Sequence, residues 1–232
     1  MGYDGYGVSI IYSNKEIEGL NDGPCLIEEL VPFEKELSVI VCRRPSGETV
    51  HYPVVESEFH PTANQVEYVL CPARLSEQAT NKAIEIALQT AEAYGQIGLL
   101  AVELFLTHEG EVFINEVAPR PHNSGHFSIE ASYTCQFEQH IRAVLDLPLG
   151  KTESKASAVM VNLVGKEGHT GPVVYKNIDQ ILAIEGVTPH IYGKKETRPF
   201  RKMGHITIIH HKIDTARKMA KQVKETLSVI SK

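Results

Sequence analysis

The sequence is short of cysteine, of positive charge and of long apolar runs. Its four cysteines, Cys25, Cys42, Cys71 and Cys135, are scattered with no C-x-x-C pair. That spacing speaks against a zinc site and against a disulfide framework. Reduced thiols in a cytoplasmic protein are the expected state. Lys and Arg number 23 against 29 Asp and Glu, a formal net charge of -6, so the basic excess of a general nucleic-acid binder is missing. No apolar stretch approaches the ~20 residues of a membrane helix. No secretory signal opens the chain, since Met1 runs straight into Gly2, Tyr3 and Asp4. Internal repeats and low-complexity segments are absent too. What is present is an ordinary globular composition over 232 residues, enough for one large domain or two small ones.

Gly2-Tyr3-Asp4-Gly5-Tyr6-Gly7 is a glycine-rich loop with only Met1 before it. Such loops connect elements, so the chain reads as a fragment that begins inside one. Strands are expected at Val8–Tyr12, Cys25–Glu29, Glu36–Cys42, Thr49–Val55, Val66–Cys71, Ala156–Val164 and His205–His210. The clearest helix is Ser76–Tyr94, with Ser76 as cap, an apolar stripe of alanines with Ile84 and Leu88, and Gly95 to end it. Further helices are expected at Phe137–Leu145, Ile178–Glu185 and Asp214–Ile230, and Lys151–Lys155 reads as a linker. Strands and helices mix without regular alternation, which indicates an α+β fold.

Leu99–Leu106 and Glu111–Val117 read as two strands of a hairpin joined by Thr107-His108-Glu109-Gly110. With that loop, Leu106 faces Glu111 and Glu103 faces Ile114. Glu103 and Glu116 are then diagonal neighbours on one face, with backbones roughly 7–8 Å apart. Two carboxylates at that spacing suit magnesium, a hard cation that takes oxygen ligands and keeps its phosphate partners. Buried among Ala, Val, Leu, Phe and Ile, they would otherwise cost several kcal/mol each. An edge hairpin with both glutamates in water satisfies the same pattern.

The loop after the second strand, Val117-Ala118-Pro119-Arg120-Pro121-His122-Asn123-Ser124-Gly125-His126, offers a guanidinium, two imidazoles, an amide and a hydroxyl. Those groups suit a phosphate or carboxylate anion. Zinc on His122 and His126 is the alternative, but no third soft ligand is spaced with them. A second basic cluster, Lys194, Lys195, Arg198, Arg201 and Lys202, lies far away in sequence. In an acidic protein it reads either as a solvated loop or as a site for an anionic partner.

The stretch Phe113-Ile114-Asn115-Glu116-Val117-Ala118-Pro119-Arg120-Pro121-His122-Asn123-Ser124-Gly125-His126 closely resembles the motif of the 5-(carboxyamino)imidazole ribonucleotide synthase family, in the ATP-grasp superfamily. Three other segments agree in the family's order. Gly2-Tyr3-Asp4-Gly5 looks like its glycine-rich loop. Leu26-Ile27-Glu28-Glu29 through Lys35-Glu36-Leu37-Ser38 looks like its adenine hinge. Arg198-Pro199-Phe200-Arg201-Lys202-Met203-Gly204-His205 looks like its phosphate loop. The resemblance implies an ATP-grasp core with an antiparallel sheet and a small C-terminal α/β subdomain. It divides the chain into a lid remnant at 1–35, a core carrying metal and substrate loops at 36–150, and a subdomain with the basic loop at 151–232.

It also implies a carbon–nitrogen ligase of purine biosynthesis. ATP phosphorylates bicarbonate, and the resulting carboxyphosphate, or carbon dioxide from it, carboxylates 5-aminoimidazole ribonucleotide. By resemblance Glu103 and Glu116 hold magnesium on the ATP phosphates. Glu36 binds the ribose, the Glu28, Glu29, Leu30 and Val31 backbone meets adenine, and His60 and Asn115 lie on the nucleotide side. Tyr3 and Asp4 face the aminoimidazole. Arg120, His122, Asn123 and Ser124 surround bicarbonate and substrate as the catalytic set. Lys195, Arg198, Arg201 and Lys202 hold the ribonucleotide phosphate. Two departures stand out. Tyr6 takes the place of a usual Arg or Lys, and the family's preceding domain, with a phosphate-reaching lysine, is not in these residues. The expectation is therefore an incomplete site, completed by a missing domain or a companion chain, with a homodimer left open. A formate-using glycinamide ribonucleotide transformylase and a nucleotide-binding module without catalysis are the competing readings.

Overall fold

The structure, a computed structural model, describes residues 8–13, 16–17, 23–60 and 65–232. Among these, β1 (Phe33–Arg43), β2 (Thr49–His51), β3 (Val55–Phe59), β4 (Val66–Cys71), β5 (Gly98–Thr107), β6 (Val112–Ala118), β7 (Ser157–Val164), β9 (Val187–Ile191) and β11 (Lys202–His210) share one sheet. Its order is β6-β5-β1-β3-β4-β7-β11-β9, with β2 alongside β1. β8 (Gly171–Lys176), β10 (Glu196–Thr197) and β12 (Ser228–Ser231) form a smaller sheet in the order β10-β8-β12. All these strand pairs are antiparallel, and the expected α+β class holds.

Alternation along β1 and β5 assigns the two faces of the large sheet. Leu37, Val39, Val41, Leu100, Val102, Leu104 and Leu106 pack under α1 (Glu77–Tyr94). That helix lies close because its buried stripe is Ala79, Ala83, Ala87 and Ala91. Ser76 Oγ accepts the Ala79 N–H, and Gly95 closes the helix in the left-handed conformation at φ 60°. Farther along the same sheet, α4 (Ile213–Thr226) sets Ala216, Ala220 and Val223 against Val159, Val161, Ile206 and Ile208.

The opposite face carries Ile40, Cys42, Leu99, Ala101, Ala158 and Met160, covered by Phe127, α2 (Ser128–Ala131) and Ala143 of α3 (Gln136–Val144). This apolar covering stops short. Beyond it, Glu36 and Ser38 on β1 and Glu103 on β5 point from the same face, where the segment after β6 meets Ser38 and Glu103 in place of apolar side chains. Where the core ends, the polar site begins. All four cysteines are free thiols.

Several expected elements come out differently. Val8–Tyr12 and Cys25–Glu29 are not strands: they are exposed and pair with no strand among the described residues. A strand whose backbone finds no partner is not stable on its own. Thr49–Val55 divides into β2 and β3 at Tyr52-Pro53-Val54, because Tyr52 turns inward to give its hydroxyl proton to the buried Thr134 carbonyl at 2.9 Å. Asp214–Ile230 is helical only to Thr226; Val229 is buried instead as part of β12, paired with β8. β9 escapes the sequence pattern since Pro189 interrupts it, and Pro is tolerated there because β9 is the edge strand.

Candidate active site

The β5–β6 hairpin brings Glu103 and Glu116 closer than the sequence register suggests. The connecting loop is one residue shorter than expected, with the Thr107 N–H bonded to the Glu111 carbonyl at 2.9 Å and Gly110 at φ 85°. Leu106 therefore pairs with Val112, and Leu104 with Ile114. A β-bulge then leaves Asn115 unpaired and sets Glu103 directly opposite Glu116. The diagonal relation is thus corrected to a direct pair, for which the bulge is the cause. Neither alternative for burial holds alone. Glu116 is exposed on the edge strand β6, whereas the Glu103 side chain keeps only 24% of its exposure.

Ser38 on β1 pairs with Glu103, so Ser38, Glu103 and Glu116 form a row across three strands, with Glu36 two residues along. The charges feel one another. Burial, then Glu116, pushes the Glu36 carboxyl up to about 7. Burial, then Glu116 and Glu36, pushes Glu103 up to about 7, while Lys202 and Arg120 pull it down. Glu103 and Glu116 thus stand opposite each other at the end of the sheet, close enough to Glu36 for the charges to act on one another. Among the described residues no cluster of three or more His, Cys, Asp or Glu could hold a metal by itself. A magnesium ion bound through one or two carboxylates plus nucleotide phosphates needs none, and the raised Glu103 carboxyl fits such a partner.

The loop after β6 folds back over this row. His122 Nδ1 accepts the Ser124 N–H at 3.4 Å and meets Ser124 Oγ at 2.9 Å. A backbone N–H only donates, so the ring proton sits on Nε2, which lies 3.2 Å from Glu103 Oε1. Ser124 Oγ is in turn 2.8 Å from Ser38 Oγ. One chain of contacts thus runs Ser38, Ser124, His122, Glu103. On the other side, Asn123 and Asn162 of β7 exchange two amide hydrogen bonds at 2.9 and 3.1 Å, and Asn162 also holds the Val66 carbonyl. Asn162 pairs with His205 of β11, and the His205 ring stacks on His126 with centroids 4.6 Å apart. The loop is pinned to β1 and β5 at one end and to β7 and β11 at the other.

The remaining expected residues divide into those gathered and those not. Lys202, at the start of β11, acts on both Glu103 and His126, so the distant basic segment does reach the carboxylate site. Lys194 Nζ donates to the Lys202 carbonyl at 2.5 Å, and Arg201 Nη1 to the Glu196 carbonyl at 2.8 Å. Lys195 and Arg198 are exposed. His60 lies edge-on to Phe200, centroids 6.1 Å apart, lining a cleft of about 240 Å³ with Gln65, Asn162 and Phe200. It is placed beside the basic segment. Arg120 turns its Nη1 to the Pro121 carbonyl at 3.1 Å. Glu28, Glu29, Leu30 and Val31 form an irregular stretch, exposed except for the half-buried Val31. Asn115 is exposed in the bulge. Tyr3 and Asp4 lie outside the described residues. Sequence reasoning missed Ser38, Asn162 and Gln136. Ser38 carried a signal, being two residues from Glu36 on the same strand face.

This arrangement is that of a family. Residues 1–137 match the ATP-grasp domain and residues 158–219 the phosphoribosylaminoimidazole carboxylase C-terminal domain. The chain belongs to the ATP-grasp family. It is similar to the N5-carboxyaminoimidazole ribonucleotide synthase of Bacillus subtilis strain 168, 43% identical over 90% of this chain and 54% of that protein. Among solved structures it resembles the N5-carboxyaminoimidazole ribonucleotide synthetase of Thermotoga maritima, with 47% identity and a TM-score of 0.89 over 97% of this chain and 60% of that one. It also resembles the N5-carboxyaminoimidazole synthase of Aspergillus clavatus in complex with ADP and 5-aminoimidazole ribonucleotide, with 31% identity and a TM-score of 0.80 over 91% of this chain and 56% of that one. The chain spans about half the length of the curated relatives it matches. No helix among the described residues is long and apolar enough to cross a membrane.

Proposed function

We propose that this chain carries the metal-side and substrate-side part of an ATP-dependent ligase that carboxylates 5-aminoimidazole ribonucleotide with bicarbonate, in the cytoplasm. The observation that supports this most is the meeting of opposite charge from two ends of the sequence. Glu103, paired with Glu116, feels the charges of both Lys202 and Arg120. A cation site beside an anion site is what phosphoryl transfer to a small anion requires. In this reading Glu103 and Glu116 hold magnesium, which supplies charge neutralisation on the nucleotide phosphates. Glu36 accepts from the ribose hydroxyls, and the Glu28–Val31 backbone, His60 and Asn115 serve the nucleotide.

Bicarbonate takes the terminal phosphoryl group of ATP, giving ADP and carboxyphosphate. The exocyclic amine of the ribonucleotide then forms a bond to the carbon of carboxyphosphate, or of carbon dioxide released from it; phosphate leaves and takes up the proton that the amine gives up. Arg120, His122, Asn123 and Ser124 orient the anion. The His122 Nε2–H is given to Glu103 Oε1, which fixes the imidazole beside the metal-side carboxylate. Tyr3 and Asp4 meet the aminoimidazole, and Lys195, Arg198, Arg201 and Lys202 its phosphate, where Arg offers two-point contacts and Lys a point charge. In this reading residues 1–35 carry Tyr3 and Asp4, 36–150 the metal and anion residues, and 151–232 the residues for the ribonucleotide phosphate. A further domain in the same protein, a companion chain or a second copy would complete the site.

The test is ADP release by this chain with magnesium, ATP, bicarbonate and 5-aminoimidazole ribonucleotide. Release that depends on the ribonucleotide and on bicarbonate, and is absent in Glu116→Gln, is the expected result. Release supported by formate and glycinamide ribonucleotide in their place would overturn the proposed substrate. Ribonucleotide binding without any release, even with the relatives' additional domain supplied, would leave a binding module.

A further inference from the structure

The His122–His126 loop is wrapped around a side chain that the reaction scheme leaves unused. Gln136, the first residue of α3, is completely buried. Its Oε1 accepts the His122 N–H at 2.9 Å, and its Nε2 donates to the His122 carbonyl at 2.8 Å. The same Nε2 lies 2.9 Å from His126 Nδ1. A peptide N–H can only donate and a peptide carbonyl can only accept, so the backbone of His122 fixes which end of the carboxamide is oxygen. The second amide hydrogen then meets His126 Nδ1, which has to bring a lone pair. His126 is left as a neutral imidazole with its proton on Nε2.

The surroundings hold this arrangement still. The His126 ring stacks between Phe137, at 5.8 Å, and His205, at 4.6 Å. Ser128 Oγ accepts the Gln136 N–H at 2.9 Å and donates to the Gly125 carbonyl at 2.6 Å. Gly125 passes so near the carboxamide that a Cβ there would lie 2.6 Å from Gln136 Oε1. Burial, then the neighbouring His122, His190 and Lys202, lowers the His126 pKa to about 4, in keeping with a neutral ring.

We propose that Gln136 is the positioning residue of the substrate-side loop: its one carboxamide fixes the backbone of His122 and the proton placement on His126. The part it plays in turnover rests on the carboxylation reading above, while the tautomer does not. Gln136 touches no reacting atom. It acts through His122, whose backbone it holds at both ends, and through His126.

The experiment is nitrogen-15 NMR of histidine-labelled chain at neutral pH, with calorimetric titration of 5-aminoimidazole ribonucleotide. In the wild type His126 should show an unprotonated Nδ1 and a protonated Nε2. Gln136→Glu still accepts from the His122 N–H but has no hydrogen for His126, so His126 should gain a proton on Nδ1. Ribonucleotide binding should weaken about tenfold through the displaced loop, with magnesium–ADP binding little changed. Ser128→Ala loosens the seat of the loop without touching the carboxamide, and should leave the His126 pattern as in the wild type. A wild-type His126 protonated on Nδ1 would overturn the proposal, and needs no variant to be seen. So would an unchanged pattern in folded Gln136→Glu, or the same change in Ser128→Ala. Failure of the wild type to bind the ribonucleotide even with the relatives' additional domain supplied would refute the carboxylation reading, and the spectrum would still decide on Gln136.

Discussion

Glu103→Gln should stabilise this chain while removing its metal ligand. The carboxyl of Glu103 titrates at about 7 in the folded chain against 4.5 for a solvated one, because burial and then the charges of Glu116 and Glu36 oppose its ionisation. Between those two values the folded state keeps a proton that the unfolded state has released. Stability is therefore fully present below about 4.5, falls as pH rises through about 7, and stays lost above. Full ionisation corresponds to ~3 kcal/mol. Glu36 is raised by the same neighbourhood, and sharing the repulsion with it leaves ~2 kcal/mol for Glu103 alone. Gln does not titrate and keeps an oxygen acceptor for His122 Nε2. The variant should gain ~2 kcal/mol at pH 8, or ~4–8 °C in melting temperature for a chain this long. At pH 5 the gain should shrink to less than ~1 kcal/mol. Thermal melts at both pH values, without nucleotide or divalent cation, read this out. A lower melting temperature than wild type at pH 8, or a gain that ignores pH, would refute a desolvated, repelled carboxylate.

Three further outcomes are expected. Glu116→Gln should abolish magnesium-dependent ADP release and leave ribonucleotide binding nearly intact by calorimetry; lost ribonucleotide binding would mean the hairpin serves the wrong ligand. Arg201→Ala should weaken ribonucleotide binding about tenfold, the loss of one charged hydrogen bond, with magnesium–ADP affinity unchanged in the same titration. Gly125→Ala should lower stability by ~2 kcal/mol, because its Cβ would strike Ile40 Cδ1 and the Gln136 carboxamide; a denaturant midpoint equal to wild type would show that the loop is not tightly seated.

The elements that sequence made legible are those with strong local signals. Ser76 and Gly95 bracket α1 because a cap and a left-handed glycine are written in single residues. The pairing of Glu103 with Glu116 was legible as a hairpin but not in its register. A bulge is set by how Asn115 settles at the sheet edge, which alternation cannot report. Gln136 and Asn162 were invisible for a different reason. Each sits in a segment that otherwise reads as an ordinary amphipathic helix or buried strand, and each matters through a partner 14 or 39 residues away. Leu26 and Ile27 show the opposite failure, a strand-like apolar pattern that is almost fully exposed.

The placement of Asn162, His205 and Lys202 explains why two matched regions make one site. β4 pairs with β7, so the sheet continues from the ATP-grasp part into the C-terminal part without interruption. Side-chain alternation then puts Asn162 and His205 on the same face as Glu36, Ser38 and Glu103. The loop after β6 reaches across that face, and each end of it is fixed by a different part of the chain: Ser124 by Ser38, Asn123 by Asn162, and His126 by stacking on His205. A change at Asn162 that leaves every proposed catalytic side chain in place should therefore free the Asn123 end of the loop, while Gln136 still holds the His122 backbone against it.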